Sequence, residues 1–245
     1  MRYPNFAAAA LLWFAAVPSQ SHAQFVVAPN GNAATEGSAL ISGPLQIGGI
    51  TYQFVFASSQ FSAFSSGTSL TSIGFRLNAG QITVSTPLTF ANYQITLSQP
   101  AQPFPTLNSV FASNIGAGSV LVRNGALTIP ANALVGGAGP NPFYDIAFNT
   151  PYVYTGGDLL VTLSHTGNGT ANPLTDGGSL SDGNSNTVLF NSFGATTGTA
   201  DIFTYPIARF GTLVPEPGSL ALLVGIGVSG AGFFVRRRRS ARKSA

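Results

Sequence analysis

In the most polar stretch of the chain, Thr175-Asp176-Gly177-Gly178-Ser179-Leu180-Ser181-Asp182-Gly183-Asn184-Ser185-Asn186, three oxygen-bearing side chains stand at alternate positions. Asp182, Asn184 and Asn186 would turn three oxygens toward one hard cation, the chemistry of a calcium loop. The Glu that closes an EF-hand loop is missing, and Asp and Asn beside Gly are also what any surface turn uses. A plain turn without a cofactor is therefore the reading, with calcium as its alternative. His165 raises a second chemistry, because Ser164 is beside it and Asp158 lies seven residues earlier. A Ser-His-Asp triad needs those groups in contact, yet neighbours on a strand point to opposite faces, so Ser164 is a poor partner and no hydrolase is read from them. Arg76 and Arg123 fall at the edges of apolar runs, where a structural ion pair with an acid is the expected role. Tyr52, Tyr93, Tyr144, Tyr152, Tyr154 and Tyr205 would offer faces for sugar stacking, but aromatic residues at alternate strand positions are more often core.

What the chain lacks narrows the chemistry further. Only 7% of its 245 residues are charged. A typical soluble domain carries about 25%, so a nucleic-acid binder held by basic patches is excluded. Residues 24 to 213 hold three arginines and six acids, a net charge of −3, so the formal +3 of the whole chain belongs to its ends. The same residues contain no Cys, no Lys, no Trp and one His. A thiol nucleophile and a Schiff base are thereby excluded, and a lone His165 cannot build a multi-His zinc or iron site. The Gly-Gly pairs beginning at 136, 156 and 177 lack the context of a phosphate loop. No enzyme is expected.

The elements that must position these residues read as strands. Period-2 alternation marks Tyr52 to Phe56, Ile73 to Leu77, Ile82 to Val84, Tyr93 to Leu97, Val120 to Val122, Leu127 to Ile129, Ile146 to Phe148, Tyr152 to Tyr154, Leu159 to Leu163, Val188 to Phe190 and Phe203 to Phe210 as half-buried strands. Asn124-Gly125 and Gly156-Gly157 are expected as hairpin turns between them, with Asn78-Ala79-Gly80 a longer one. Roughly ten strands without a convincing amphipathic helix predict an all-β β-sandwich. About 190 residues can close one core without disulfides.

The two ends are of another kind. Arg2, an apolar run from Phe6 to Val17 and Ser21-His22-Ala23 before Gln24 make a secretory signal peptide over residues 1–23, with cleavage between Ala23 and Gln24. At the other end, residues 218–235 are apolar and uncharged, and Arg236, Arg237, Arg238 and Arg239 follow at once. Eighteen residues at 1.5 Å rise cover about 27 Å, close to the hydrocarbon thickness, so a transmembrane helix is expected. The arginines stop translocation and leave residues 240–245 as a cytoplasmic tail. Between body and span stand Pro215, Glu216 and Pro217. Two prolines fix φ and cannot join a helix interior, so they hold this segment extended, as a processing enzyme needs.

Pro-Glu-Pro, an apolar helix and an Arg cluster in that order resemble the PEP-CTERM sorting signal, also called the ice-binding-protein C-terminal domain. The resemblance covers residues 214–239 and names a route rather than an activity. It implies secretion by a Gram-negative bacterium that makes exopolysaccharide. Pro215, Glu216 and Pro217 would be read by an exosortase-like processing enzyme, the span would be a temporary inner-membrane anchor, and Arg236 to Arg239 would be the stop signal. The order Ile73-Gly74-Phe75-Arg76, Val110 to Gly116, Asn141-Pro142-Phe143 and Gly157-Asp158-Leu159-Leu160 more loosely resembles body domains of other such proteins, which are jelly-roll-like. The resulting expectation is an exported, non-enzymatic, jelly-roll-like β-sandwich at the cell surface or in the extracellular matrix. A carbohydrate-binding module of that matrix is the alternative.

Overall fold

The computed structural model describes residues 24–179, 188–201 and 204–212. The signal peptide, the sorting motif, the expected span over 218–235, the arginines 236–239 and the candidate cation ligands Asp182, Asn184 and Asn186 lie outside the described residues. Among the described residues no helix is long and apolar enough to cross a membrane. They form fifteen strands: β1 (Phe25–Ala28), β2 (Ala39–Ile41), β3 (Ile50–Phe56), β4 (Thr68–Phe75), β5 (Leu88–Phe90), β6 (Tyr93–Ser98), β7 (Val120–Arg123) and β8 (Leu127–Ile129). The series continues with β9 (Tyr144–Tyr154), β10 (Leu159–His165), β11 (Thr175–Ser179), β12 (Val188–Ser192), β13 (Thr199–Asp201), β14 (Thr204–Pro206) and β15 (Ala208–Thr212). Among the described residues helical turns are limited to short 3-10 segments, and the described part of the chain is all-β.

A four-stranded sheet runs β1-β15-β4-β9 and a six-stranded one β13-β12-β3-β10-β6-β7, all pairs antiparallel. Smaller sheets β14-β11-β2 and β5-β8 complete the set. Neither large sheet closes on itself, and both contribute to one core, an arrangement compatible with a sandwich. The contact between them is aromatic. Phe56 of β3 meets Phe210 of β15 edge-on with ring centres 5.9 Å apart, and Phe61, in the turn after β3, lies 5.3 Å from Phe210 and 5.4 Å from Tyr154 of β9. Each such ring stabilises the fold by about 1.5–3 kcal/mol through apolar burial alone.

Several strands differ from the sequence expectation for identifiable reasons. β3 was expected to be half-buried, yet all seven of its residues are buried. At Gln53 its outward face is covered by the connection between β6 and β7: the Gln53 side chain donates to Phe111 O and accepts from the Asn114 amide at 2.8 Å. Residues 82–84 form no strand, and Ile82 is 85% exposed. Ile146 to Phe148 and Tyr152 to Tyr154 belong to the single long strand β9, whose pairing with β4 shifts register between Leu70 and Ser72. The run expected over 203–210 supplies two strands in different sheets, β14 and β15, with Ile207 between them.

The first part of the polar stretch is a correction. Thr175 to Ser179 is strand β11, paired with β2 and β14, and four of its five residues are buried. Its glycines are there for close approach rather than for a turn, since a Cβ on Gly178 would collide with the Tyr205 ring. The expected turn glycines Gly80, Gly125, Gly156 and Gly157 do have positive φ. None of their turns closes a hairpin, however. Asn124-Gly125 joins β7 of the six-stranded sheet to β8, which pairs with β5, and Gly156-Gly157 carries the chain from β9 in one large sheet to β10 in the other. Asn78-Ala79-Gly80 follows β4 on the way to β5, again a change of sheet.

Candidate functional site

The C-terminal strand ends where the body begins. Thr212 donates its backbone N–H to Gln24 O at 3.0 Å, and its hydroxyl reaches the same oxygen at 3.3 Å. The register pairs Phe25 with Gly211 and Val27 with Arg209. Chain continuity therefore places the exit toward Pro215, Glu216 and Pro217 at the edge where Gln24 enters.

Arg209 fastens this edge. Its Nε donates to Asp145 Oδ1 at 3.0 Å and its second terminal nitrogen to Oδ2 at 2.6 Å, a two-pronged pair that fixes orientation as well as charge. Its guanidinium also lies 4.5 Å from the centre of the Phe25 ring and 5.0 Å from that of Phe143, which Arg76 approaches at 4.8 Å. Contacts of this kind contribute about 0.5–1 kcal/mol each where water is near.

Arg76 fulfils the expected ion pair, in the core. Its Nε donates to Asp176 Oδ2 at 2.7 Å, and a terminal nitrogen lies 2.6 Å from that oxygen, with both side chains buried. The same nitrogen donates to Asn32 O and Thr35 O, and Asp176 Oδ1 accepts from Gly37 N–H. Burial pushes the Asp176 carboxyl above its ordinary range, and the Arg76 guanidinium works against that push. Arg123 corrects the expectation, since it meets no acid among the described residues. It donates to Ala147 O of β9 and to Ala126 O, because the end of β7 lies against the carbonyls of β9.

His165 is a core residue, not part of a triad. Its Nε2 lies 3.0 Å from Gly43 O, and its Nδ1 accepts from Gly167 N–H, partners that assign the neutral ring with the proton on Nε2. It stacks on Tyr93 at 5.3 Å and meets Phe90 edge-on at 4.9 Å. Ser164 contacts Thr51 Oγ1 and Ile50 O on the other face of β10, and Asp158 accepts from Ser58 N–H. Burial pushes the His165 pKa below 6.5, with the Gly43 contact opposing. A proton gained on unfolding favours the unfolded chain, so His165 stabilises fully above pH 6.5 and loses that contribution as the pH falls below it. Unfolding followed by urea between pH 7 and 5.5 should show stability declining by up to about 1.4 kcal/mol per pH unit from this group. His165→Gln should flatten that slope.

The tyrosines offer no exposed stacking platform: Tyr52, Tyr93, Tyr152, Tyr154 and Tyr205 are all buried, and Tyr144 is half-buried. Glu36 is a residue that no sequence signal singled out. It lines a shallow cleft of about 510 Å³ with Ser38, Asn78 and Thr204, and its Oε1 accepts from Ala79 N–H, which holds the turn after β4. Among the described residues no three of His, Asp and Glu gather as a metal site would require. The charged side chains near the core thus build the fold, and the segment with a recognisable chemical destination is the one that leaves at Thr212.

No curated protein matches this chain. A family model described as the PEP-CTERM protein-sorting motif matches residues 213–239, which include Pro215 to Pro217 and Arg236 to Arg239. Such a motif is the C-terminal sorting signal of an exported protein that an exosortase processes. Beyond the last strand of its all-β body, this chain carries a PEP-CTERM protein-sorting motif.

Proposed function

We propose that residues 24 to 213 form a jelly-roll-like β-sandwich with a non-enzymatic, structural role at the cell surface or in the exopolysaccharide matrix of a Gram-negative bacterium. In this reading the signal peptide leaves between Ala23 and Gln24, and the span over 218–235 holds the precursor in the inner membrane until an exosortase acts near Pro215 to Pro217. The observation that carries it is the sorting motif placed directly after a body whose buried ionic groups serve the fold: Arg76 with Asp176, and His165 with backbone partners. Native fractionation tests it. The mature protein should be found with the cell surface or matrix and not in the periplasm.

A second reading, a carbohydrate-binding module, is favoured by the outer face of the six-stranded sheet. Asn191, Thr51, Ser164 and Gln94 are directly paired across β12, β3, β10 and β6, and the Gln94 amide continues to Asn124. This row spans four of the six strands with no charged side chain in it, Thr51 being buried within it. Retention of the mature protein by the producing strain's own polysaccharide would favour the module, and free passage would leave the structural role. Calcium has no part in the proposal. A millimolar addition should leave the melting temperature unchanged, whereas binding at Asp182, Asn184 and Asn186 would raise it by mass action.

A further inference from the structure

The edge that holds Gln24 and Thr212 also limits how a processing enzyme can reach its motif, an inference that rests on the exosortase reading above. Thr212 is held on both sides, paired with Leu70 of β4 and hydrogen-bonded to Gln24, and it is buried. Only residues 213 and 214 separate it from Pro215. Even fully extended, three steps of chain span at most about 11 Å. An enzyme that binds Pro-Glu-Pro in a cleft also encloses a few residues on either side, so its wall must come to within a side chain of the rim formed by β1 and β15.

That rim has a specific character. Phe25 is 46% exposed although it lies over Gly211 and against the Arg209 guanidinium. A Cβ at Gly211 would come 3.0 Å from the Phe25 ring, so the glycine lets the ring lie on the strand. Beside it, the exposed Gln24 side chain donates to Ala63 O. Gln24, Phe25 and Ala63 carry no charge, and Phe25 presents an aromatic face held in place by strand pairing and by Arg209. Rigid aromatic residues of this kind carry much of the energy at protein interfaces.

We propose that the rim of Gln24, Phe25 and Ala63 is a docking surface for the enzyme that processes the sorting motif, with Phe25 as its main contact. The body is then more than cargo. It orients its own C-terminal segment, and its first strand takes part in recognition at the other end of the chain.

The test follows conversion of full-length precursor to mature protein in the producing cell by pulse-chase. Phe25→Asp should slow conversion on the order of tenfold, equivalent to a tenfold weaker encounter, whereas Phe25→Tyr should leave it unchanged. A six-residue Gly-Ser insertion after Thr212 adds about 20 Å of reach and uncouples the motif from the rim, so by itself it should slow conversion, and Phe25→Asp added to it should slow conversion no further. Normal conversion of Phe25→Asp would overturn the proposal, and so would a Phe25→Asp defect that adds in full to that of the insertion, which would mark a folding fault. A mature protein that runs as a dimer which Phe25→Asp splits would assign the rim to a second copy and equally overturn it. Glu216→Ala separates the two levels: normal conversion of that variant removes the processing reading itself, while a block there with no effect at Phe25 removes only the docking surface.

Discussion

Replacing Asp176 with alanine is expected to lower the unfolding free energy of the mature protein by about 3–5 kcal/mol, because it leaves the buried Arg76 guanidinium without its counter-charge. Arg76 directly follows β4 of the four-stranded sheet and Asp176 belongs to β11 of the three-stranded one, and Arg76 also gathers the carbonyls of Asn32 and Thr35. Loss of Asp176 would free Gly37 N–H as well, since that donor is bound to Asp176 Oδ1. Removing both charges with Arg76→Leu and Asp176→Leu should cost less than either single change, because no unpaired ion remains inside. Urea unfolding of Asp176→Ala, of the two single leucine variants and of the double one checks this. A double change costing the sum of the single ones would contradict the pairing.

The second large effect concerns processing. Glu216→Ala keeps the apolar run and the four arginines, so the precursor should still be exported and inserted, but conversion to the mature form should stop and full-length protein should accumulate in the inner membrane. Pro215 and Pro217 would still hold the segment extended, so the variant tests the reading of the carboxylate rather than backbone shape. Replacing Arg236 to Arg239 with neutral residues would act at a different step, weakening the stop signal and letting the tail pass through.

How much of this was legible in the sequence depended on how local the physics was. The sorting motif could be read because its parts are contiguous: two prolines, an apolar run and an arginine cluster need no partner from elsewhere to be recognised. β3, β6 and β10 could be read because side-chain alternation is a property of the strand itself. β11 could not, because Thr175-Asp176-Gly177-Gly178-Ser179 carries turn residues, and only the Tyr205 ring above Gly178 explains why glycine is required in a strand. The hairpins were misjudged for a related reason. Glycine at Gly125 and Gly156 announces a reversal of the backbone, but not which sheet receives the next strand.

The ion pairs followed the same division. An acid for Arg76 was a fair expectation, yet the choice of Asp176, 100 residues away, arises only from the packing of β11 beside the end of β4. Arg123 shows the converse, a cation whose two terminal nitrogens donate to carbonyls. The role of Phe25 was invisible in sequence, where it reads as the second residue after a cleavage site. Strand pairing puts it beside the other end of the body.

The central claim is that this chain is an exported protein trimmed at both ends, and the intact mass of the secreted form tests it most directly. The account predicts a species that begins at Gln24 and ends between Leu213 and Gly218. Because Lys243 is the sole lysine of the chain, that species keeps only the α-amine of Gln24, which tends to cyclise, so an amine-reactive dye that labels the precursor should barely mark it. A secreted or surface form that retains Lys243 and the residues of the span, with the corresponding mass, would contradict the account.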